Sequence, residues 1–455
     1  MLNFRKKLEE FYRSGKTIKV SLAGVGQMGK SLVSHLRDLE GIQVAAVANR
    51  DAGRVISILK ELEVSDSEII LVEKVSGRGF SDSIKRVILG SNGLDDKAKK
   101  ELGRAVSENK IIVADDLSIL FAVDNIDMVI DATGSPEAGA YIASNAISSG
   151  KHVVTLNVEA DVTVGPVLKK MADDAGVVYT VSAGDEPAAL KELYNFATSL
   201  GLEVVAAGKG KNNPLDRYAN PATLKGYAES KGSSPGMMTS FVDGTKSMIE
   251  MACLSNSTGL IPDCRGMHGP KADIKNLLEI FRLKSDGGIL DKKGVVDFAI
   301  GDLAPGVFLI YSTKNKMVKA DLKYLMLGEG PYYLLYRPYH LTSIETPLSI
   351  ALAYFYGEPT ITPDFGLVSE VVTVAKKDLG AGEVIDGIGG YMVYGLIEKY
   401  DSAKSRNLLP IGLSRGCVLK KDVEKDGPIK YNDVELVRGS SVAELRKVQD
   451  NLYSH

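Results

Sequence analysis

Two rhythms of apolar and polar positions alternate along the first 180 residues. The run Ile18-Lys19-Val20-Ser21-Leu22 has the short, β-branched character of a buried strand. Apolar positions Leu32, Val33, Leu36 and Leu39 follow at helical spacing, and then a second short run, Val44-Ala45-Ala46-Val47. The strand signal returns at Ile111-Ile112-Val113-Ala114, at Met128-Val129-Ile130-Asp131 and at His152-Val153-Val154-Thr155-Leu156. A helix over 165–175 and a strand over 177–181 close the series. Strands spaced by helical stretches predict a parallel sheet covered by helices. An amphipathic helix is expected over 1–17. The charged, helix-prone stretch from about 55 to 110 reads as an insertion.

Downstream the pattern changes twice. Residues 183–360 mix helical and strand periods. From about 360 onward, Val371–Ala375, Tyr391–Gly395 and Cys417–Leu419 are short β-like runs separated by turns rich in Gly and Asp.

Between the first strand and its helix stands Gly24-Val25-Gly26-Gln27-Met28-Gly29. In that position G-x-G-x-x-G allows a tight turn, a close approach of backbone to a pyrophosphate, and close packing of helix on strand. Dinucleotide binding is therefore expected, through Gly24, Gly26, Gln27, Met28 and Gly29. The second strand ends in Asn49-Arg50-Asp51 with Arg54 beyond. A neutral Asn and two guanidinium groups suit a ribose 2′-phosphate, so NADPH is expected over NADH. Thr133 and Gly134, in the small-residue loop after the strand ending at Asp131, and Asn157, after the next, complete the cofactor set. The fold class expected is α/β. A Rossmann doubly wound nucleotide-binding domain spans 1–160, an α+β central catalytic and dimerisation domain 161–360, and a small β-rich C-terminal domain 361–455.

The 455 residues are 44% hydrophobic and 25% charged, with a formal net charge of −3. Those are ordinary globular values, and without a basic block neither nucleic acid nor an anionic membrane is an expected partner. Three widely spaced cysteines, Cys253, Cys264 and Cys417, make neither a disulfide framework nor a zinc knuckle. With no signal peptide and no run of about 20 apolar residues, a cytoplasmic protein is expected. A homodimer is the expected assembly, as the commonest closed form.

Four clusters carry candidate chemistry. Glu159, in Asn157-Val158-Glu159, reads as a general base, a metal ligand or a support for a helix start. Asp185-Glu186-Pro187 suits a helix N-terminus, with Lys191 on the first turns facing an anion or water. Gly208-Lys209-Gly210-Lys211-Asn212-Asn213 reads as a strand-end loop in which Lys209 and Lys211 bind an anion while Asn212 and Asn213 meet hydroxyls. Asp243 and Lys246, three apart, share one face of a helix. Arg337 and His340 lie in a loop-like stretch, Tyr336-Arg337-Pro338-Tyr339-His340. No G-x-S-x-G or cysteine motif supplies a nucleophile.

Val129-Ile130-Asp131-Ala132-Thr133-Gly134 and Gly150-Lys151-His152-Val153-Val154-Thr155 resemble homoserine dehydrogenase. That family continues to a catalytic lysine where this chain has Val158, which weighs against homoserine as substrate. Over nearly its whole length the chain is similar to the deoxyxylulose-phosphate reductoisomerase-like family and its relatives acting on branched sugar acids. Asp378–Glu383, Leu409–Leu413 and Gly416–Val423 resemble the SAF module of sialic acid synthases.

The resemblance implies an oxidoreductase, tied to isoprenoid biosynthesis, that couples rearrangement of a small anionic sugar phosphate or branched sugar acid to hydride transfer. For such a reaction Lys209, Lys211 and Arg337 are expected on the anion, Asn212 and Asn213 on hydroxyls, and Asp243, Lys246 and His340 near substrate. Glu159 or Asp185 serves as base or metal ligand, and Lys191 stabilises the oxyanion. Asn157-Val158-Glu159 echoes the Asn-Lys-Glu of deoxyxylulose-phosphate reductoisomerase without its lysine, and Asp185-Glu186 only partly echoes its metal motif. A divalent metal is compatible with these acids and unassigned. The alternatives are a simple hydroxy-acid dehydrogenase and a nucleotide-sensing regulatory protein.

Overall fold

The computed structural model describes residues 3–73, 83–88 and 94–453. They divide into two compact units, between which the chain passes five times. Unit 1 takes 1–157, 167–184 and 342–360, and unit 2 takes 158–166, 185–341 and 361–455.

In unit 1 the strands are β1 (Ile18–Ala23), β2 (Ile42–Ala48), β3 (Ile69–Glu73), β4 (Lys85–Ile88), β5 (Ile111–Ala114), β6 (Met128–Asp131), β7 (His152–Thr155) and β8 (Tyr179–Val181). They form one sheet in the order β4-β3-β5-β2-β1-β6-β7-β8, with every described pairing parallel. The order reverses at β1, so the turn after β1 lies at the switch point where doubly wound sheets bind ligands. Helices α1 (Phe4–Arg13), α2 (Gln27–Arg37), α3 (Ala52–Glu61), α4 (Asp96–Ser107), α5 (Ile119–Ala122) and α6 (Pro136–Ser148) belong to this unit.

The stretch expected as an insertion supplies β3, β4 and α4, which extend one edge of this sheet. Part of it, 74–82 and 89–93, lies outside the described residues. Leu32, Val33 and Leu36 of α2 pack with Ile18, Val20 and Leu22 in the core, which is why the helical spacing was legible.

Helix α7 (Val158–Ala175) starts seven residues before the helix expected at 165, because Pro166 is accommodated inside it. Glu159 is therefore in a first helical turn. Unit 2 continues with α8 (Glu186–Ser199), β9 (Glu203–Lys211), α9 (Lys225–Ser230), α10 (Pro235–Val242), α11 (Thr245–Thr258), β10 (Ile261–Pro262), α12 (Leu277–Ile280), β11 (Val295–Ile300), β12 (Val307–Ser312), α13 (Lys316–Tyr324) and β13 (Tyr332–Arg337). Its sheet runs β10-β11-β9-β12-β13, parallel from β10 to β9 and antiparallel from β9 to β13.

Helix α14 (Thr346–Tyr356) returns to unit 1, where Ile350 and Ala353 join the core around Leu8. The last stretch holds β14 (Ser369–Ala375), β15 (Val393–Lys399), α15 (Tyr400–Ser405), β16 (Val418–Leu419), β17 (Val434–Glu435) and α16 (Ser441–Leu452). Its strands form two antiparallel pairs, β14-β15 and β16-β17. Among the described residues no helix is long and apolar enough to cross a membrane.

Candidate functional site

The glycine loop of unit 1 is built by what it omits. Gly24 turns with φ +88°, a left-handed value costly for other residues, and a Cβ there would sit 3.0 Å from Ala132 O. A Cβ on Gly29 would come within 2.1 Å of Gly24 O, so only glycine lets α2 lie this close to the loop. At Gly26 a Cβ would meet nothing within 4 Å. Gly26 caps α2 without any side-chain hydrogen bond, and Gln27 and Met28 are exposed beside it. The open space and the free N–H groups of a helix start together fit a dinucleotide pyrophosphate.

At the ends of β6 and β7, the buried Asn157 amide donates to Asp131 Oδ2 (3.0 Å), Thr133 Oγ1 (3.2 Å) and Ser135 O (2.8 Å). Thr133 donates back to Asp131 Oδ1 from both backbone and hydroxyl. This network fixes the Thr133–Gly134 loop. At the end of β2, Asn49 Oδ1 accepts from Val25 N–H at 3.5 Å and its amide donates to Asp51 O at 3.1 Å. Asp51 caps α3 through Arg54 N–H, and Arg50 and Arg54 are exposed.

Unit 2 holds a buried charged cluster. Lys209 and Lys211 are not on a loop, as the sequence suggested, but on β9, two residues apart and so on one face. The intervening glycines take the other face, where a Cβ on Gly208 would meet Asp297 O at 2.6 Å and one on Gly210 Ala304 N at 2.4 Å. The loop proper begins at Asn212, which is exposed, while Asn213 accepts from Tyr227 OH at 3.1 Å.

Lys209 is buried and donates to Glu186 Oε1 at 2.5 Å and to Glu250 Oε2. Lys246 donates to Glu159 Oε1 at 2.9 Å, leaving Glu159 Oε2 buried with no hydrogen-bond partner. His340 Nε2 lies 3.6 Å from Glu186 Oε2, and its Nδ1 meets Pro305 O at 2.7 Å. Lys211 donates to Phe241 O at 2.5 Å.

Asp243 and Lys246 do not share a helix face. Asp243 ends α10, Gly244 breaks the helix with φ +88°, and Lys246 stands in the first turn of α11. Asp243 instead faces Lys376 Nζ at 2.9 Å. Lys191 donates to Ser257 O at 2.6 Å, and Arg337 pairs with Glu192 at 2.8 Å. Neither is among the described partners of the cluster.

Burial separates these groups in protonation. It raises the Asp185 carboxyl well above the usual carboxylate range, and the charge of Glu186 adds to the rise while Lys246 opposes it. Burial acts the same way on Glu186, but Lys209 and His340 outweigh it and hold that acid below its usual range. Glu250 is raised by burial and by Glu186. Burial, with the Lys209 charge beside it, pulls the Lys211 ammonium down to about 8. Burial also opposes the charges of Lys209 and Lys246, yet their carboxylate partners keep both above the usual range. An acid raised by burial and an amine lowered by it therefore stand in this unit, the kind of shifted groups that proton-transfer chemistry uses.

Glu250 was not singled out from sequence. Lys246 and Glu250 are four apart on α11, a spacing that ordinarily faces water, and only the structure shows that every residue of this helix is buried, so that both find partners inside. Asp185, Glu186 and Glu250 bring carboxylate oxygens within 4.8 Å of one another. Oxygen donors at this spacing fit a hard divalent cation. Lys209 already supplies a positive charge to two of the three, so an ion there would compete with its ammonium.

Residues 24–182 match the family model described as homoserine dehydrogenase, NAD binding domain, and residues 184–346 match that of oxidoreductase DRL, catalytic domain. The chain is similar to a probable dehydrogenase from Thermotoga maritima (12% identity, TM-score 0.41, 76% of this chain and 92% of that one). It is also similar to scyllo-inositol dehydrogenase from Lactobacillus casei, solved with NAD(H) and scyllo-inositol (11%, 0.35, 71% and 76%). A third similar structure is 1-deoxy-D-xylulose 5-phosphate reductoisomerase from Zymomonas mobilis with NADPH (18%, 0.32, 52% and 57%). With the glycine loop and the charged cluster, the two family models make this chain an NAD(P)-dependent oxidoreductase.

Proposed function

We propose that the chain couples a proton-transfer rearrangement of a small anionic polyol, a sugar phosphate or a branched sugar acid, to hydride transfer with NADPH. The observation that carries this reading is the cluster in which Asp185, Glu186 and Glu250 bring carboxylate oxygens within 4.8 Å of one another with Lys209 bonded to two of them, the Asp185 acid being raised and the nearby Lys211 amine lowered by burial. Asp185 would give a proton to a developing oxyanion, and Lys211 would take one from a hydroxyl. Lys209 and Lys246, fixed by Glu186, Glu250 and Glu159, would stabilise negative charge that forms beside them without having to reorganise.

This division differs from a plain anion grip. The ammonium of Lys209 is already matched by two carboxylates, so the anionic end of the substrate falls to His340 and the exposed Asn212 instead. A bound nicotinamide cofactor supplies the hydride chemistry. Arg50 and Arg54, with Asp51 turned to cap α3, support NADPH over NADH. The exposed apolar run Tyr324, Leu325 and Met326 (85%, 60% and 91% accessible), which precedes the edge strand β13 in the chain, supports a homodimer.

The test incubates the protein with NADPH, Mg²⁺ or Mn²⁺ and 1-deoxy-D-xylulose 5-phosphate, following cofactor oxidation and product identity. Methylerythritol phosphate would establish the reductoisomerase. No turnover there, but oxidation of a branched sugar acid with NADP⁺, would keep the rearrangement and move the substrate. Rapid homoserine oxidation would replace this reading with a simple hydroxy-acid dehydrogenase.

A further inference from the structure

Lys376 is buried at the end of β14, yet no part of the cluster described above touches it. Its ammonium donates to Ala219 O (2.7 Å) and Gly390 O (2.9 Å) and lies 2.9 Å from Asp243 Oδ2. Asp243 Oδ1 in turn accepts from Thr245 N–H at 2.8 Å, closing the turn at Gly244 that joins α10 to α11. On the far side of that turn, Thr245 Oγ1 accepts from Gly395 N–H of β15 at 2.8 Å.

Three parts of the reactive cluster hang on the same corner. Lys246 follows Thr245 directly and reaches Glu159. Phe241, two residues before Asp243, provides the carbonyl that Lys211 engages. The segment after Lys211 is tied in through Asp216 N–H to Val242 O at 3.0 Å. A fully satisfied buried cation spent on one turn is an expensive way to hold a loop, since taking an ion pair out of water is rarely a net gain in stability.

We propose that Lys376 is a positioning residue: through Asp243 it fixes the α10–α11 corner and so sets where Lys211 and Lys246 stand. The C-terminal stretch thereby becomes part of the catalytic apparatus without touching the substrate. The inference rests on the functional reading above only in taking Lys211 and Lys246 as working groups.

The experiment reads the titration of Lys211 without any substrate. Its amine is acylated with acetic anhydride over a pH series, and the modification of that residue is followed by mass spectrometry. The groups charged around it are Lys209, Glu250 and Asp243. In the parent protein half-maximal labelling should fall near 8. In Lys376→Met it should move up by about one unit or more as water enters the loosened corner. In the same variant kcat should fall about tenfold or more, with NADPH affinity changed less than about twofold.

Thr245→Val, which removes the acceptor of Gly395 N–H, should shift the labelling in the same direction by less, and serves if Lys376→Met fails to fold. The double variant Lys376→Met/Asp243→Asn leaves no unpaired charge. Recovered stability with the Lys211 profile still moved up supports positioning, because loss of the Asp243 carboxylate alone would move it down. Recovered stability with the parent profile makes the pair a structural strut and overturns the proposal. A shifted profile in the variants, with no turnover by the parent protein on any polyol acid or phosphate, would sink the functional reading and leave the positioning intact.

Discussion

The two units of this chain prepare for their ligands by opposite means. Unit 1 uses backbone: glycines remove side chains so that N–H groups and a helix start are left bare. Unit 2 uses side chains: Lys209, Lys246, Glu159 and Glu250 are buried, Glu186 is partly so, and all are paired before any substrate arrives. A site made of omissions tolerates substitution until something fills the gap. A site made of paired charges is damaged by the loss of any single partner, because the other is left buried and uncompensated.

The sharpest break of that comparison is Lys209→Met. It strands Glu186 and Glu250 in a low-dielectric interior, and should cost about 3–5 kcal/mol in a urea titration as well as abolishing turnover. A stability loss under about 1 kcal/mol would mean that the cluster is wetter than its geometry implies.

The pH dependence of Lys211 comes next. Its folded value of about 8 lies below the ordinary lysine value near 10.4, so the unfolded chain binds that proton more tightly. The penalty applies in full below pH 8 and lifts as pH rises from 8 towards 10.4. The parent protein should therefore gain up to about 3 kcal/mol relative to Lys211→Met across that window, measured by urea midpoints at each pH.

Gly26→Val tests the opposite kind of site. No atom crowds that position, so stability should change by less than about 0.5 kcal/mol while NADPH binding weakens about ten- to a hundredfold by cofactor fluorescence. Lost stability instead would show that the space is filled by protein. Smallest of all, Arg50→Glu should shift the ratio of NADPH to NADH affinity about five- to tenfold towards NADH. An unchanged ratio would leave Arg50 a solvated surface charge.

What could be read in advance follows the same division. The glycine loop, β1, β2 and α2 depend on spacing within some thirty residues, and local spacing is what a sequence displays. The charged cluster joins residues from 159 to 340, and its logic is burial, which no single stretch reveals. Gly208-Lys209-Gly210-Lys211 looks like a loop because glycines usually mark turns, whereas here each Gly makes room for a neighbouring backbone or ring. Asp243 and Lys246 look like a helical pair because the positive φ at Gly244 has no marker beyond the glycine itself. Glu250 was hidden for a related reason: charge four residues apart on a helix normally faces water.

Unit 1 has a further consequence for how the protein is made. Its core is completed by α14, whose Ile350 and Ala353 pack with residues as early as Leu8, and whose Tyr354 and Phe355 meet the Phe11 ring at a tilt and edge-on. During synthesis the nucleotide-binding half must therefore wait, with that part of its core uncovered, while about 200 further residues leave the ribosome. At about 5–20 residues per second the delay is roughly 10–40 s. The apolar surface that α14 later covers is available to chaperones throughout that interval, and the last piece of the first unit arrives only after most of the second has been made.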